Sequence, residues 1–214
     1  ITSIAKDQLI VARAIGYISY SVDGNANWTN ISSQLNAGPF PALATAKTLA
    51  SGDYIYAGTT GNDVVQRWQI GTSTSWYTVL AAGSAATPLA AGTVGIGYSE
   101  DTLYVMASDG VNSSVARTMN PTATTSTWSH TGHMDIENLP VAVVPNAMRL
   151  SSGSTVLWFY DGVSLDARVY TDSLNAAKPT VSAPSTVKIN PANGAPYNVT
   201  FSWARPHGAT TVAT

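Results

Sequence analysis

The feature that most limits the fold of this chain is a repeat of about 50 residues. Spacings of 48 and 52 residues separate three tryptophans: Trp28, Trp76 and Trp128. Spacings of 50 and 51 residues separate three arginines: Arg67, Arg117 and Arg168. Each unit also contains short runs rich in Val, Ile, Thr and Tyr, separated by Gly, Asn, Asp and Ser. Repeats of this length with several strands each are typical of β-propellers, whose blades are four-stranded antiparallel sheets.

We therefore expect an all-β fold in which residues 1–175 form a partial propeller of about four blades, each with four antiparallel strands. The Ala- and Gly-rich segments 44–49 and 92–98 would supply the strand nearest the propeller axis, where backbones crowd. The alternative is a β-sandwich with short strands at irregular spacing. The tryptophans and arginines recur in register along the chain, as do Asp53 and Asp101, which are 48 residues apart, and this favours the propeller. Because uncovered edge strands promote association, we expect further N-terminal blades, from the same polypeptide or a partner chain, to complete the ring.

The composition excludes several classes of protein. Only 10% of the residues are charged, against roughly 25% in an average soluble domain. The net charge of −2 provides no basic surface for nucleic acid. The absence of Cys excludes disulfides and cysteine-ligated metals. No apolar run approaches the roughly 20 residues of a membrane span.

The same composition indicates a location. Ser and Thr make up 49 of the 214 residues, which predicts a polar but uncharged surface. Such surfaces are common in extracellular β-proteins, and the lack of Cys favours a prokaryotic cell surface. The first residue is Ile1, with no Met and no signal-peptide pattern after it, so we expect a processed or truncated piece.

One hairpin carries a recognisable motif. The segment 21–28 reads Ser-Val-Asp-Gly-Asn-Ala-Asn-Trp. It resembles the Asp-box, or bacterial neuraminidase repeat, whose pattern is Ser-x-Asp-x-Gly-x-Thr-Trp. Ser21, Asp23 and Trp28 match, Asn25 stands in place of Gly, and Asn27 in place of Thr. Two degenerate copies keep only Trp76 and Trp128.

The resemblance implies a structural hairpin between the third and fourth strands of a blade. In it, Asp23 would accept hydrogen bonds from backbone N–H groups of the turn. Asn25 would adopt a left-handed conformation. Trp28 would bury its ring against the blade.

The character of the sequence changes after Asn175. Residues 176–185 contain two prolines and are predicted to be a linker. Residues 186–214 resemble the first strands of a fibronectin type III or immunoglobulin-like β-sandwich, with Trp203 in the position of the buried tryptophan. A complete module needs roughly 100 residues, so this one would be incomplete. Propellers followed by such modules resemble large prokaryotic surface proteins, including S-layer proteins.

The resemblance to the sialidase propeller raises the question of catalysis. Sialidases use three arginines, a Tyr with a Glu partner, an Asp and an Arg-Ile-Pro motif, and Arg-Ile-Pro is absent here. The three recurring arginines would each lie on their own blade and not converge on one substrate. The two glutamates, Glu100 and Glu137, lie in turn-like contexts. We expect no catalytic residues and no enzyme activity.

No cofactor or metal is expected. His130, His133 and Asp135 lie close together, but their spacing fits no established metal site, so a solvated loop is the simpler interpretation. Four sequons offer sites for glycosylation only if the source organism glycosylates asparagine: Asn27, Asn30, Asn112 and Asn198.

The sequence thus predicts a non-catalytic structural or adhesive cell-surface protein, such as a component of an S-layer or envelope lattice. Its partners would be the rest of its polypeptide or neighbouring copies that complete the propeller, and other envelope proteins. The alternative is a carbohydrate-binding, lectin-like propeller whose partners are glycans. A sialidase-like glycoside hydrolase is the least favoured hypothesis, because it needs paired carboxylates in one cleft.

Overall fold

A computed structural model of the chain describes residues 1–35, 40–81, 92–108, 113–126, 128–130, 147–151, 154–160 and 167–172. The chain divides into two compact units, Ile1–Asp172 and Ser173–Thr214. All described residues belong to the first unit, so the predicted linker and immunoglobulin-like strands lie outside them. In the described part of the chain, no helix has the length and hydrophobicity that a membrane span requires.

The described residues of the first unit form an all-β structure of four antiparallel sheets that follow one another along the chain. The first two sheets contain β1 (Thr2–Ala5), β2 (Gln8–Ala12), β3 (Ile18–Ser21) and β4 (Thr29–Asn30), then β5 (Ala42–Ala46), β6 (Tyr54–Thr59), β7 (Asn62–Gln69) and β8 (Tyr77–Leu80). The third contains β9 (Gly92–Ser99), β10 (Thr102–Ser108), β11 (Ser113–Thr118) and β12 (Ser129–His130). The fourth contains β13 (Met148–Leu150), β14 (Val156–Tyr160) and β15 (Ala167–Thr171).

Every sheet is an up-and-down meander in which each strand pairs with its sequence neighbour. This is the topology of propeller blades, and it confirms the predicted all-β fold of about four blades. Tight turns between consecutive strands make this meander possible. Between β9 and β10, the two-residue loop Glu100-Asp101 has φ values of 48° and 56°. Two positive φ angles give a turn whose twist matches that of the flanking strands.

The hydrophobic core lies between consecutive blades. Ile10 and Ile18 of the first blade pack with Ile55 and Ala57 of the second. The next interface joins Tyr56, Leu103 and Val105, and the last joins Tyr104, Met106, Leu157 and Phe159. Since neighbouring residues of a strand point to opposite sheet faces, each central blade uses both faces. We call the face that packs on the following blade the forward face, and the opposite one the rear face.

The first strand of each blade lies at the centre of the unit, where the blades approach most closely. The strands β5 and β9 contact each other, as do β9 and β13. The Ala- and Gly-rich segments that the sequence indicates as axial strands correspond to β5 and β9, so that prediction is confirmed. Glycine is required at these contacts: a Cβ on Gly95 would lie 2.3 Å from Cβ and 3.1 Å from the backbone N of Met148.

One prediction from the sequence is wrong. His130 was expected in an irregular loop, but it ends β12 and pairs with Ala116. The other two members of that cluster, His133 and Asp135, lie outside the described residues, as does Glu137. Glu100 lies in a turn, as expected.

We expect Gly95→Ala to lower the free energy of unfolding by about 1–3 kcal/mol, because the new methyl overlaps the strand β13 and the backbone must move. The matched control is Gly97→Ala, whose Cβ would meet Cδ1 of Leu150, the end of a flexible side chain. Urea denaturation of both variants tests this, and a larger loss for Gly97→Ala would contradict it.

Candidate functional site

The hairpin between β3 and β4 is held by the carboxylate of Asp23. Its Oδ1 accepts the Asn27 backbone N–H at 2.9 Å, and its Oδ2 accepts the Asn27 side-chain amide at 2.7 Å. The Ser21 hydroxyl donates to Oδ1 at 2.8 Å. These hydrogen bonds, the backbone N–H of Asn27 first, lower the pKa of Asp23 to about 2. Both oxygens are therefore engaged in forming the turn.

The turn also explains Asn25 and Trp28. Asn25 has φ 83°, in the left-handed region that Asn tolerates better than most residues. The Trp28 indole N–H donates to Asn25 Oδ1 at 2.8 Å. The ring is half-buried, so it is less covered than the sequence suggests.

The corresponding tryptophans of the next two blades make a different contact. Trp76 is buried, and its indole N–H donates to the carbonyl of Ser33 in the first blade at 2.8 Å. Trp128 donates in the same way to the carbonyl of Val79 in the second blade, at 2.8 Å. In both cases the tryptophan binds the preceding blade.

Arg67 connects the second blade to the third. Its guanidinium donates to the carbonyls of Pro121 and Ala123, both at 2.8 Å. The cation also lies over the rings of Tyr54 and Tyr77, 5.2 Å and 4.7 Å from their centroids. Such contacts stabilise a guanidinium that loses water.

Arg117 connects the third blade to the fourth through a buried ion pair with Asp172, the residue after β15. The Tyr104 hydroxyl donates to the same carboxylate at 2.8 Å. Burial, together with this carboxylate, raises the pKa of Tyr104. Asp172 has no local sequence signal that marks it as the partner of a residue 55 positions earlier.

The third arginine of the repeat does not match the other two. Arg67 pairs across the sheet with Tyr56, and Arg117 pairs with Tyr104, so both lie on forward faces. Arg168 pairs with Phe159, which packs on the third blade. It therefore lies on a rear face, and the inferred equivalence of the three positions is wrong for Arg168. Arg67 and Arg117 bind separate partners, in the third and fourth blades.

A cleft of about 550 Å³ lies between the first strands of the four blades. Its lining is largely polar and includes Lys47, Tyr98, Asp101, Arg149 and Ser151. Lys47 and Asp101 form an exposed ion pair, which raises the pKa of Lys47 and lowers that of Asp101. Burial raises the pKa of Tyr98, whose ring stacks on Tyr56. Across the described ranges, no group of three His, Cys, Asp or Glu residues could hold a metal ion.

The forward face of the fourth blade is apolar and exposed. Leu157 and Phe159 on its rear face are 0% and 1% exposed, whereas Trp158 and Tyr160 are 46% and 42% exposed. Val169, which pairs with Trp158, is 53% exposed. Arg149 completes this row across β13, β14 and β15. The sequence of β14, Val-Leu-Trp-Phe-Tyr, is apolar throughout, so it does not show which face of the strand is covered.

Two of the four sequon asparagines lie in the described residues. Asn27 and Asn30 are exposed in the first blade, where Asn30 Oδ1 accepts a hydrogen bond from the Ser19 hydroxyl at 2.6 Å. Asn112 and Asn198 lie outside the described residues.

No protein-family model matches the chain, and no curated protein sequence matches it. Among solved structures, the computationally designed Ika8 protein is 14% identical over 79% of this chain and 44% of its own, with a TM-score of 0.48. The computationally designed Ika4 protein is 13% identical over 78% of this chain and 86% of its own, with a TM-score of 0.48. A structure of YCF48 bound to D1 peptide is 13% identical over 75% of this chain and 46% of its own, with a TM-score of 0.39. The chain thus spans less than half the length of Ika8 and of YCF48.

We expect Asp172→Ala to lower the free energy of unfolding by about 3–5 kcal/mol, because it leaves the buried Arg117 without this carboxylate. The control is Asp101→Ala, which breaks an exposed ion pair and should cost far less. Urea denaturation compares the two, and equal losses would show that the buried pair does not join the blades.

The hairpin gives a pH prediction. A carboxyl group with a lowered pKa in the folded state stabilises the fold above its unfolded pKa and loses that contribution as the pH falls through its folded value. For Asp23 this window extends from its ordinary value of 3.8 down to about 2. The stability difference between the wild type and Asp23→Asn should therefore shrink over that range in denaturation at fixed pH values. A difference that does not vary with pH would contradict the assignment.

Proposed function

We propose that the chain is part of a non-catalytic structural or adhesive cell-surface protein that acts through protein–protein contacts of its blades, for example in an S-layer or envelope lattice. The observation that supports this best is the exposed forward face of the fourth blade, with Trp158, Tyr160 and Val169. Contiguous exposed apolar surface often marks an interaction site. Aromatic residues are enriched in such interfaces.

The charge distribution supports the same proposal. With 10 basic and 12 acidic residues among 214, the chain has little charge to repel a neighbouring molecule. The hairpin at Asp23 adds support for an Asp-box-like blade, and the 186–214 sequence for an adjoining fibronectin type III-like module. Both are familiar parts of extracellular prokaryotic proteins.

The contacts of the polar residues favour a structural role over catalysis. In the described part of the chain, Arg67 and Arg117 connect blades, Asp23 forms a turn, and Asp101 pairs with Lys47. Retaining and inverting glycosidases instead need two carboxyl groups facing a shared substrate. We therefore propose no enzyme activity and no cofactor.

A second candidate is a lectin-like propeller, which the axial cleft favours. Sugars are commonly bound by an aromatic side chain beside polar groups, and the cleft offers Tyr98 beside Asp101. The Tyr98 hydroxyl lies 3.5 Å from Asp101 Oδ1. In this alternative the partner is a glycan and the blade faces have no binding role.

Binding to a panel of bacterial and archaeal cell envelopes separates the two candidates. We expect the chain to be retained on untreated and deglycosylated envelopes and lost from protease-treated ones. Asp101→Ala should bind as the wild type does. Trp158→Ser should bind less, because it removes a contact to the envelope or to a second copy. Met119→Ser, at an exposed apolar residue of the third blade outside this face, should bind as the wild type does.

The opposite pattern would favour the lectin. In that case deglycosylation and Asp101→Ala would abolish retention, protease treatment would not, and a glycan array would identify the sugar. Failure to bind any envelope of the panel would contradict both candidates.

A further inference from the structure

The three interfaces between described blades follow one rule. A forward face packs on the rear face of the next blade, and polar groups join the pair. Arg67 and Arg117 extend from forward faces to the following blade. Trp76 and Trp128 donate from the following blade back to carbonyls of the preceding one.

The fourth blade has a forward face of the same kind without a described blade against it. In the third blade, the forward-face residues Tyr104, Met106 and Val115 are 0%, 0% and 3% exposed, because the fourth blade covers them. In the fourth blade, Trp158 and Val169 are 46% and 53% exposed. Both faces have large side chains on their second strand, Tyr104 and Met106 in one and Trp158 and Tyr160 in the other, and they differ in what covers them.

The first blade has the complementary rear face. Ile10 packs on the second blade, so its neighbours Leu9 and Val11 lie on the opposite face, where both are half-buried. Ser3 pairs with Leu9 and lies on that face, exposed. Trp28 holds the position from which Trp76 and Trp128 bind a preceding blade, and here its indole N–H binds its own hairpin.

We propose that two copies of this chain associate head to tail, with the forward face of the fourth blade of each copy packing on the rear face of the first blade of the other. The proposal rests on the proposed role in protein–protein contact and names a second copy as the partner. Two copies provide eight blades, within the range of about four to eight blades that closed propellers contain. Closure of the ring by two equal contacts covers both exposed faces and leaves no open end for filament growth.

Charge favours this pairing over a contact between two forward faces. Arg149 lies in the row of Trp158 and Val169, so two forward faces would bring two arginines together in a partly desolvated interface. The rear face of the first blade instead offers the neutral, exposed hydroxyl of Ser3 beside Leu9 and Val11. A guanidinium can donate hydrogen bonds to hydroxyl groups without a like charge opposite it.

Sedimentation equilibrium of the full chain over a concentration series tests the proposal. The expected mass is twice 22.3 kDa, with no larger species. Val169→Arg on the forward face and Ser3→Arg on the rear face should each shift the chain towards monomer. Both residues are exposed, so circular dichroism and thermal unfolding should show intact folds. The controls Met119→Arg and Ser75→Arg place the same charge at exposed positions of other blades and should leave the dimer unchanged.

A mixture of the two variants gives the sharpest result. In the head-to-tail arrangement, a Val169→Arg copy keeps its rear face and a Ser3→Arg copy keeps its forward face, so together they retain one intact contact. The mixture should therefore form dimers that neither variant forms alone. If Val169→Arg abolishes the dimer and Ser3→Arg does not, the proposal is overturned in favour of two forward faces in contact.

A wild-type chain that remains monomeric at every concentration would also overturn the proposal and indicate that blades of the same polypeptide cover these faces. The envelope-binding experiment tests the proposed function independently of this result. Envelopes that fail to bind a chain shown to be dimeric would contradict the proposed function and not the pairing.

Discussion

The packing of each blade against its neighbours is the interaction on which the rest of this structure depends. A four-stranded meander is too thin to have an interior of its own, so its apolar side chains are buried only where two blades meet. Ile10 and Ile18 need the second blade, Tyr56 needs the third, and Tyr104 needs the fourth. The first and fourth blades therefore each have one face that the described blades leave uncovered.

The interfaces share a plan but not their polar chemistry. Between the second and third blades, Arg67 donates to backbone carbonyls and remains close to aromatic rings. Between the third and fourth, Arg117 meets a buried carboxylate instead. A backbone carbonyl can accept the hydrogen bond whatever the side chain of its residue, provided that the loop passes close to the guanidinium. A buried ion pair instead requires both charged residues, since either charge buried alone would be costly. Substitutions should be tolerated very differently at the two sites, although the repeat presents the arginines as equivalent.

Much of the fold was accessible from the sequence, because strand alternation, turn residues and a 50-residue period are local or periodic signals. They indicated four blades and the axial strands β5 and β9. The candidate sites were less accessible. Arg168 shows why: a position one residue out of step moves a side chain to the other sheet face, so matching spacings along the chain did not give matching orientations. Asp172 and the exposed face of Trp158 had no local signature at all.

By itself, the sequence determined that the chain forms short antiparallel strands in repeated units, that one hairpin closes around Asp23, and that the surface has little charge. Each of these follows from residues close together in the chain. The tertiary structure alone decided which tryptophan binds a preceding blade, which arginine meets a carboxylate, and which apolar face stays open to solvent. The physical reason is that side-chain burial depends on the neighbour that a face meets, and that neighbour lies about 50 residues away in the sequence.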